Sequence, residues 1–384
     1  MGTVKAMQKR PPTSLLDPSK LVALYEDFIT SNSRSVTQVE SALRSLTYII
    51  PGRFRESELA TESLHSFVQL LSLYHDSLVA RTIAKLPASI SRPNPTPHER
   101  YTKYWCKHSP TYRRVALCLQ MIRHTELLWE MVARRRGEKV RYRVILIIEA
   151  VKAICRFILL RLTNSRPVVS PPLPEREVDP RAAEAEKETN EWDALETPEI
   201  QPPQEVKWTM PRTGQTLPSL PRVNDVSNYL ISKVLTADDI KSPRNLLHRV
   251  TGQGQLAEVL YILRPLVYAL ALKRWSNKKN SWAPWLIGFG MEYACRQLAK
   301  KNFRERLAGG LRGLTGLERE ELRKRGTNML WWIIRSGFYA NVTKVWLQGV
   351  TSKMRGVLFL DMIATIIEDY SYLWDNYYFS TANF

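Results

Sequence analysis

The stretch RVILIIEAVKAICRFILLRL, Arg143–Leu162, is too apolar to sit simply in water and too charged to sit simply in lipid. As a helix it rises about 30 Å, the thickness of a bilayer's hydrocarbon core. Glu149, Lys152 and Arg156 interrupt it at i, i+3 and i+7. They therefore form one narrow charged stripe on an otherwise apolar cylinder. About a dozen Leu, Ile, Val and Phe residues favour insertion by roughly 0.3–0.6 kcal/mol each, and each central charge opposes it by about 2.5–3.5 kcal/mol. That balance argues against a solitary anchor. Three placements stay open: a span whose stripe faces other helices, a helix lying in the interface, or a buried helix of a soluble bundle.

The formal net charge of +19 over 384 residues calls for an anionic neighbour. Arg134, Arg135, Arg136, Lys139, Arg141 and Arg143 directly precede or open the apolar stretch, and Lys273, Arg274, Lys278 and Lys279 separate two further apolar runs. Cations set beside apolar segments are the pattern of membrane-flanking sequence, attracted to acidic headgroups. Nucleic acid is the competing partner. YTKYWCKHSPTYRR interleaves aromatic and basic residues as a base-stacking surface would, but no RNP, zinc-finger or helix-turn-helix signature accompanies it. Nucleic acid is therefore disfavoured. Cys106, Cys118, Cys155 and Cys295 form no CxxC pair, the usage of a reduced, cytosol-facing protein. No apolar run follows the first basic residues, so the N-terminus does not read as a signal peptide.

Residues 1–17 read as disordered and residues 18–164 as an N-terminal helical half, with the candidate membrane helix at 143–162. Leu21, Leu24, Tyr25 and Phe28 share a face, and Val36, Val39, Leu43, Leu46 and Ile50 form a heptad-like stripe ended by Pro51-Gly52. From about Glu58 to Lys85, Leu64, Phe67, Val68, Leu71 and Leu78 are expected to point inward. Residues 165–222 are proline-rich and acidic with few large apolar groups, so they cannot bury enough surface to offset the entropy of ordering. They read as a disordered linker. Residues 223–384 form a C-terminal helical half, with a candidate membrane segment within 256–291. No strand-like alternation is present, and the expected fold is all-α: two packed halves of amphipathic and membrane-contacting helices.

Catalytic signatures are missing from the sequence. There is no phosphate loop, HExxH or GxSxG, and Gly288-Phe289-Gly290 lacks the third glycine of a dinucleotide fingerprint. The six histidines are scattered. Glu318, Glu320 and Glu321 are matched by Arg319, Arg323, Lys324 and Arg325, as on one exposed helix. The expectation is a non-enzyme with no catalytic, cofactor or metal residues.

Five stretches, ALRSLTYIIPGRF, AEVLYILRPLVYAL, SWAPWLIGFG, LEREELRKR and LWWIIRSGFY, occur in this order. Together they resemble the peroxin sixteen family of peroxisome membrane assembly factors, and the long acidic linker suggests a fungal-type member. The resemblance implies a biogenesis factor of the peroxisomal membrane, reached directly or by way of the endoplasmic reticulum. It implies docking or recruitment of the third peroxin, insertion of other membrane proteins, and cytosolic termini. It also implies two spans, about Val140–Leu162 and within Leu256–Met291. Gly52, Arg53, Phe54, Arg264, Pro265, Trp282, Trp285, Arg335, Phe338 and Tyr339 become the interaction candidates. The competing reading is a soluble or peripheral basic helical scaffold on anionic membrane surfaces.

Overall fold

Gly137, at φ +116°, lies where a side chain would be strained, and the chain reverses there between two long helices, Pro110–Arg135 and Glu138–Leu162. The structure, a computed structural model, describes parts of 22–29 and then residues 32–49, 58–85, 95–176, 241–276, 281–306, 310–356 and 358–378. Ten helices organise them: α1 Ser33–Ile49, α2 Glu58–Lys85, α3 Pro97–His108, α4 Pro110–Arg135, α5 Glu138–Leu162, α6 Gln253–Arg274, α7 Ala283–Arg306, α8 Gly316–Asn328, α9 Lys344–Met354 and α10 Leu358–Asn376. Among the described residues there is no strand, and the all-α expectation holds.

Local chemistry sets several helix starts. Thr96 and Ser109 accept hydrogen bonds from the Glu99 and Tyr112 amides, each followed by a proline in the first turn. Thr315 and Glu318 form a reciprocal capping box that opens α8. Between α8 and α9 the chain passes through a 3-10 segment, Met329–Ile334, a single helical turn and a π-turn at Tyr339–Thr343.

The halves share their cores. Tyr101, Trp105, Tyr112, Leu119 and Leu159 pack with Leu246, Leu247 and Leu317 from the second half. Antiparallel α6 and α7 meet through Ala257 against Phe303 at one end, and through Tyr268 near Trp285 and Phe289 at the other. α10 crosses back onto the first half, where Leu373 and Tyr377 bury against Leu127 and Met131.

Three sequence expectations need correction. Residues 165–176, expected to begin the linker, are packed: Arg166 donates to the Leu247 carbonyl at 3.0 Å, Val169 is buried, and Arg176 pairs with Glu40 and Asp76. The rest of the expected linker and the start of the second half, 177–240, lie outside the described residues, as do Lys278, Lys279 and residues 1–21. α8 is not an exposed charged helix, because Glu318 and Glu321 are buried as acceptors for His248 and for the Ser170 amide. Finally, the apolar faces of α1, α2 and the segment 22–29 before them are partly turned outward. Leu24, Phe28, Val39, Leu43, Leu46, Leu64 and Phe67 are exposed, whereas Glu40 and Thr47 are buried between the two helices against His75 and His65.

Candidate membrane interface

Along α5 the charged stripe faces the protein together with Ile145, Leu159 and Leu160, and a second apolar face points outward. Lys152 is 2 % exposed and donates to Glu126 of α4 at 2.6 Å and to Glu149 at 2.6 Å. Burial pushes the Glu126 carboxyl above the usual carboxylate range, against the pull of Lys152. Arg156 is half-buried in a crevice shared with Gln120, Arg123 and Val168. On the opposite face Ile147 is 61 % and Ile154 57 % exposed, with Val151 and Ile158 between and beyond them.

The same arrangement recurs on the neighbouring helices. Arg264 of α6 pairs with buried Glu292 of α7 at 2.8 Å, and the second Glu292 oxygen accepts from Trp332 Nε1. Arg325 binds Glu258 at 2.5 Å and lies 4.2 Å over the Tyr261 ring, which Arg264 flanks at 4.8 Å. Glu130 takes Arg141 at 2.9 Å. Outside, Leu256, Leu270, Leu286, Tyr293, Leu330, Val345 and Trp346 are all exposed. Scattered surface apolar groups are ordinary, but here they stand outside on the same helices that bury ion pairs beside the apolar core. Buried ion pairs contribute little net stability against a hydrophobic alternative, so their number here is not explained by stability alone.

The other singled-out residues divide between interior and rim. Arg335 is 2 % exposed and stacks 4.5 Å over Trp332, with burial and neighbouring Arg264 pulling its guanidinium down to about 10. Tyr339 is buried with its hydroxyl on Ser371, and the Pro265 carbonyl accepts from Tyr378 at 2.9 Å. Arg335, Tyr339 and Pro265, with Arg264, are interior groups and not the surface expected of interaction residues. Trp285 stacks on Phe289 and Phe338 and donates to the Trp332 carbonyl, while Trp282 reaches the surface. Gly52, Arg53 and Phe54 lie outside the described residues.

Of the basic cluster, Arg135, Arg136, Lys139 and Arg143 are exposed, Arg141 is held by Glu130 and Glu138, and Arg134 donates to Asn376 while lying over Tyr377. Sequence reading missed Glu126, Glu130 and Glu292, single acids on otherwise ordinary helices. Only their facing cations give them meaning.

Length and composition bear on the expected spans. Among the described residues one helix, Gln253–Arg274, is long and apolar enough to cross a membrane, and nearly half of it is buried in the protein. α5 does not meet that test. The segment within 256–291 is not one span, because α6 ends at Arg274 and α7 begins at Ala283. Among the described residues no group of three His, Cys, Asp or Glu side chains could hold a metal ion.

Comparison with known proteins gives one consistent answer. Residues 23–376 match the family described as "Peroxisomal membrane protein (Pex16)". "Peroxisomal membrane protein PEX16" of Schizosaccharomyces pombe is 23 % identical over 379 residues, 95 % of this chain and 100 % of that protein. "Peroxisome biogenesis protein 16" of Arabidopsis thaliana is 21 % identical over 359 residues, 86 % of this chain and 91 % of that protein. No solved structure matches the chain significantly.

Proposed function

The chain belongs to the Pex16 family of peroxisomal membrane proteins that serve peroxisome biogenesis, and from that premise we propose that it is a non-enzymatic docking and assembly factor. It holds its exposed apolar helices against the lipid and helps recruit and insert other peroxisomal membrane proteins. The third peroxin is the partner that the family resemblance suggests. Delivery by way of the endoplasmic reticulum and cytosolic termini belong to the same reading.

One observation carries the membrane contact: α5 exposes Ile147 and Ile154 while burying Glu149 and Lys152. In water that orientation is doubly unfavourable, since about 25 cal/mol is forgone for each Å² of apolar surface left wet. In hydrocarbon both terms reverse sign, because ionised side chains then belong inside, paired with one another.

A second reading keeps the protein peripheral, a basic scaffold adsorbed on acidic headgroups. It is favoured by the failure of α5 to qualify as a span. Extraction of native membranes with high salt and then alkaline carbonate separates the two. Retention through carbonate supports an embedded protein with a sheltered stripe, and release by salt makes it peripheral. Recruitment has its own readout: cells lacking the chain should mislocalise peroxisomal membrane proteins and the third peroxin, and normal localisation would sink the docking role.

A further inference from the structure

A cleft of about 1120 Å³ opens where α4 ends, α5 begins, α6 ends and α10 ends. Six cations line it: Arg134, Lys139, Arg141, Arg143, Lys273 and Lys344. Its two carboxylates are already committed, Glu138 to Arg141 at 3.1 Å and Asp375 to Lys344 at 2.7 Å. Among the described residues, Arg134, Lys139, Arg143 and Lys273 have no carboxylate partner there. The wall behind them is aromatic, with Tyr142, Tyr268, Trp275 and Trp374 on it. Behind Tyr268 lies Trp332, at 5.2 Å between ring centres, and over Trp332 lies the buried Arg335 guanidinium, whose Nε has no hydrogen-bond partner. The cleft is therefore cationic at its rim and has a further positive charge at its back.

Its position on the helices is equally specific. Arg143 and exposed Ile147 stand at i and i+4 on α5, and Lys273 and exposed Leu270 stand at i+3 and i on α6. On each helix a cation lining the cleft thus lies about one turn, roughly 5 Å, from an outward apolar side chain. A free phosphate needs far less room than this cleft offers, and it gains nothing from adjacent Ile and Leu. A glycerophospholipid uses both features.

We propose that the cleft is a binding site for an anionic glycerophospholipid. Its phosphate lies among Arg134, Lys139, Arg143 and Lys273, and its acyl chains run down the exterior past Ile147 and Leu270. The proposal rests on the membrane contact argued above and adds a defined site to it. Guanidinium and ammonium groups supply charge-assisted hydrogen bonds to phosphate, and the aromatic wall suits the glycerol level of the interface.

The test is flotation of purified full-length protein with phosphatidylcholine vesicles, with or without phosphatidylinositol. Two triple variants are compared. The first, Lys139→Glu, Arg143→Glu and Lys273→Glu, reverses charges in the cleft. The second, Arg135→Glu, Arg136→Glu and Arg304→Glu, makes the same charge change at exposed residues outside it. The cleft variant should lose preference for phosphatidylinositol vesicles by about tenfold more than the other while still floating with phosphatidylcholine. Equal losses in both would mean diffuse surface attraction and overturn the site. Displacement by soluble glycerophosphate would make it a site for free phosphate compounds, which also overturns the proposal. If the wild type floats with neither vesicle, the membrane contact itself fails and takes the site with it. Should the Glu variant misfold, the Lys139→Gln, Arg143→Gln and Lys273→Gln variant carries the same expectation, and unchanged lipid preference there would refute the site.

Discussion

The backbone amide of Tyr378 donates to Glu130 Oε1 at 2.7 Å, joining residues 248 positions apart in the chain. The same oxygen accepts from Arg141 Nε, so one buried carboxylate ties α4, α5 and the end of α10 together. Glu58 adds a second tie across the halves, accepting from the Tyr372 and Tyr377 hydroxyls. Glu130→Ala should therefore cost about 1–3 kcal/mol, because it leaves the buried Tyr378 amide without its acceptor and Arg141 with exposed Glu138 alone. Thermal unfolding in detergent checks this, and Glu130→Gln should recover part of the loss by keeping an acceptor. No change in either variant would show that the tie is dispensable.

Lys152 bridges two buried acids. Lys152→Met leaves Glu126 and Glu149 facing each other without a cation, and a loss of about 3–5 kcal/mol is expected. Replacing all three with Met, Leu and Leu should return stability close to that of wild type. A triple variant as unstable as the single one would contradict the pairing.

Gly288 lies under an indole. A β-carbon there would stand 2.1 Å from the Trp332 ring and 3.0 Å from that of Tyr268. Gly288→Ala should cost about 1–3 kcal/mol as overpacking and shift the tryptophan near-ultraviolet signal. Gly290, two residues on, faces open space, so Gly290→Ala should stabilise α7 by about 0.5–1 kcal/mol. Similar outcomes at the two positions would reject the packing account.

Burial pulls the His124 imidazole down to about 4, with Arg123 and Arg44 adding to the effect. A histidine depressed in the fold below its unfolded value of about 6.5 favours the neutral form. Its contribution is complete above that pH and is lost as pH falls toward 4. The melting temperature should drop across this window, and His124→Gln should flatten the drop. An identical acid limb in the variant would assign the titration elsewhere.

Ile154→Arg probes the exterior. In detergent-free water an exposed substitution of this kind is nearly neutral, whereas a cation at the centre of a membrane-contacting helix costs about 2.5–3.5 kcal/mol. Reduced retention after carbonate extraction is the expected result. Unchanged retention would place α5 outside the hydrocarbon.

The helical class and the charged stripe of α5 were legible because both are local: periodicity and i, i+3 spacing need no partner. Glu126 was not legible. It lies on a different helix, 26 residues from Lys152, and nothing in its own neighbourhood marks it. The inward reading of Leu64 and Phe67 failed for another reason: amphipathic periodicity identifies two faces but assigns them by assuming water outside. α8 misled similarly, because Glu321 and Arg325 look like an exposed i, i+4 pair until the Ser170 amide and Glu258 take them inward.

The outward apolar faces of these helices constrain how such a chain can change. A packed core constrains side-chain shape, and water constrains polarity, but a fluid of acyl chains asks only that a residue be apolar. Ile147, Ile154, Leu286 and Trp346 could then exchange freely among apolar types, whereas each interior charge answers to a particular partner. Sequence drift would concentrate on the outside of the protein, and the paired interior would hold the fold's memory.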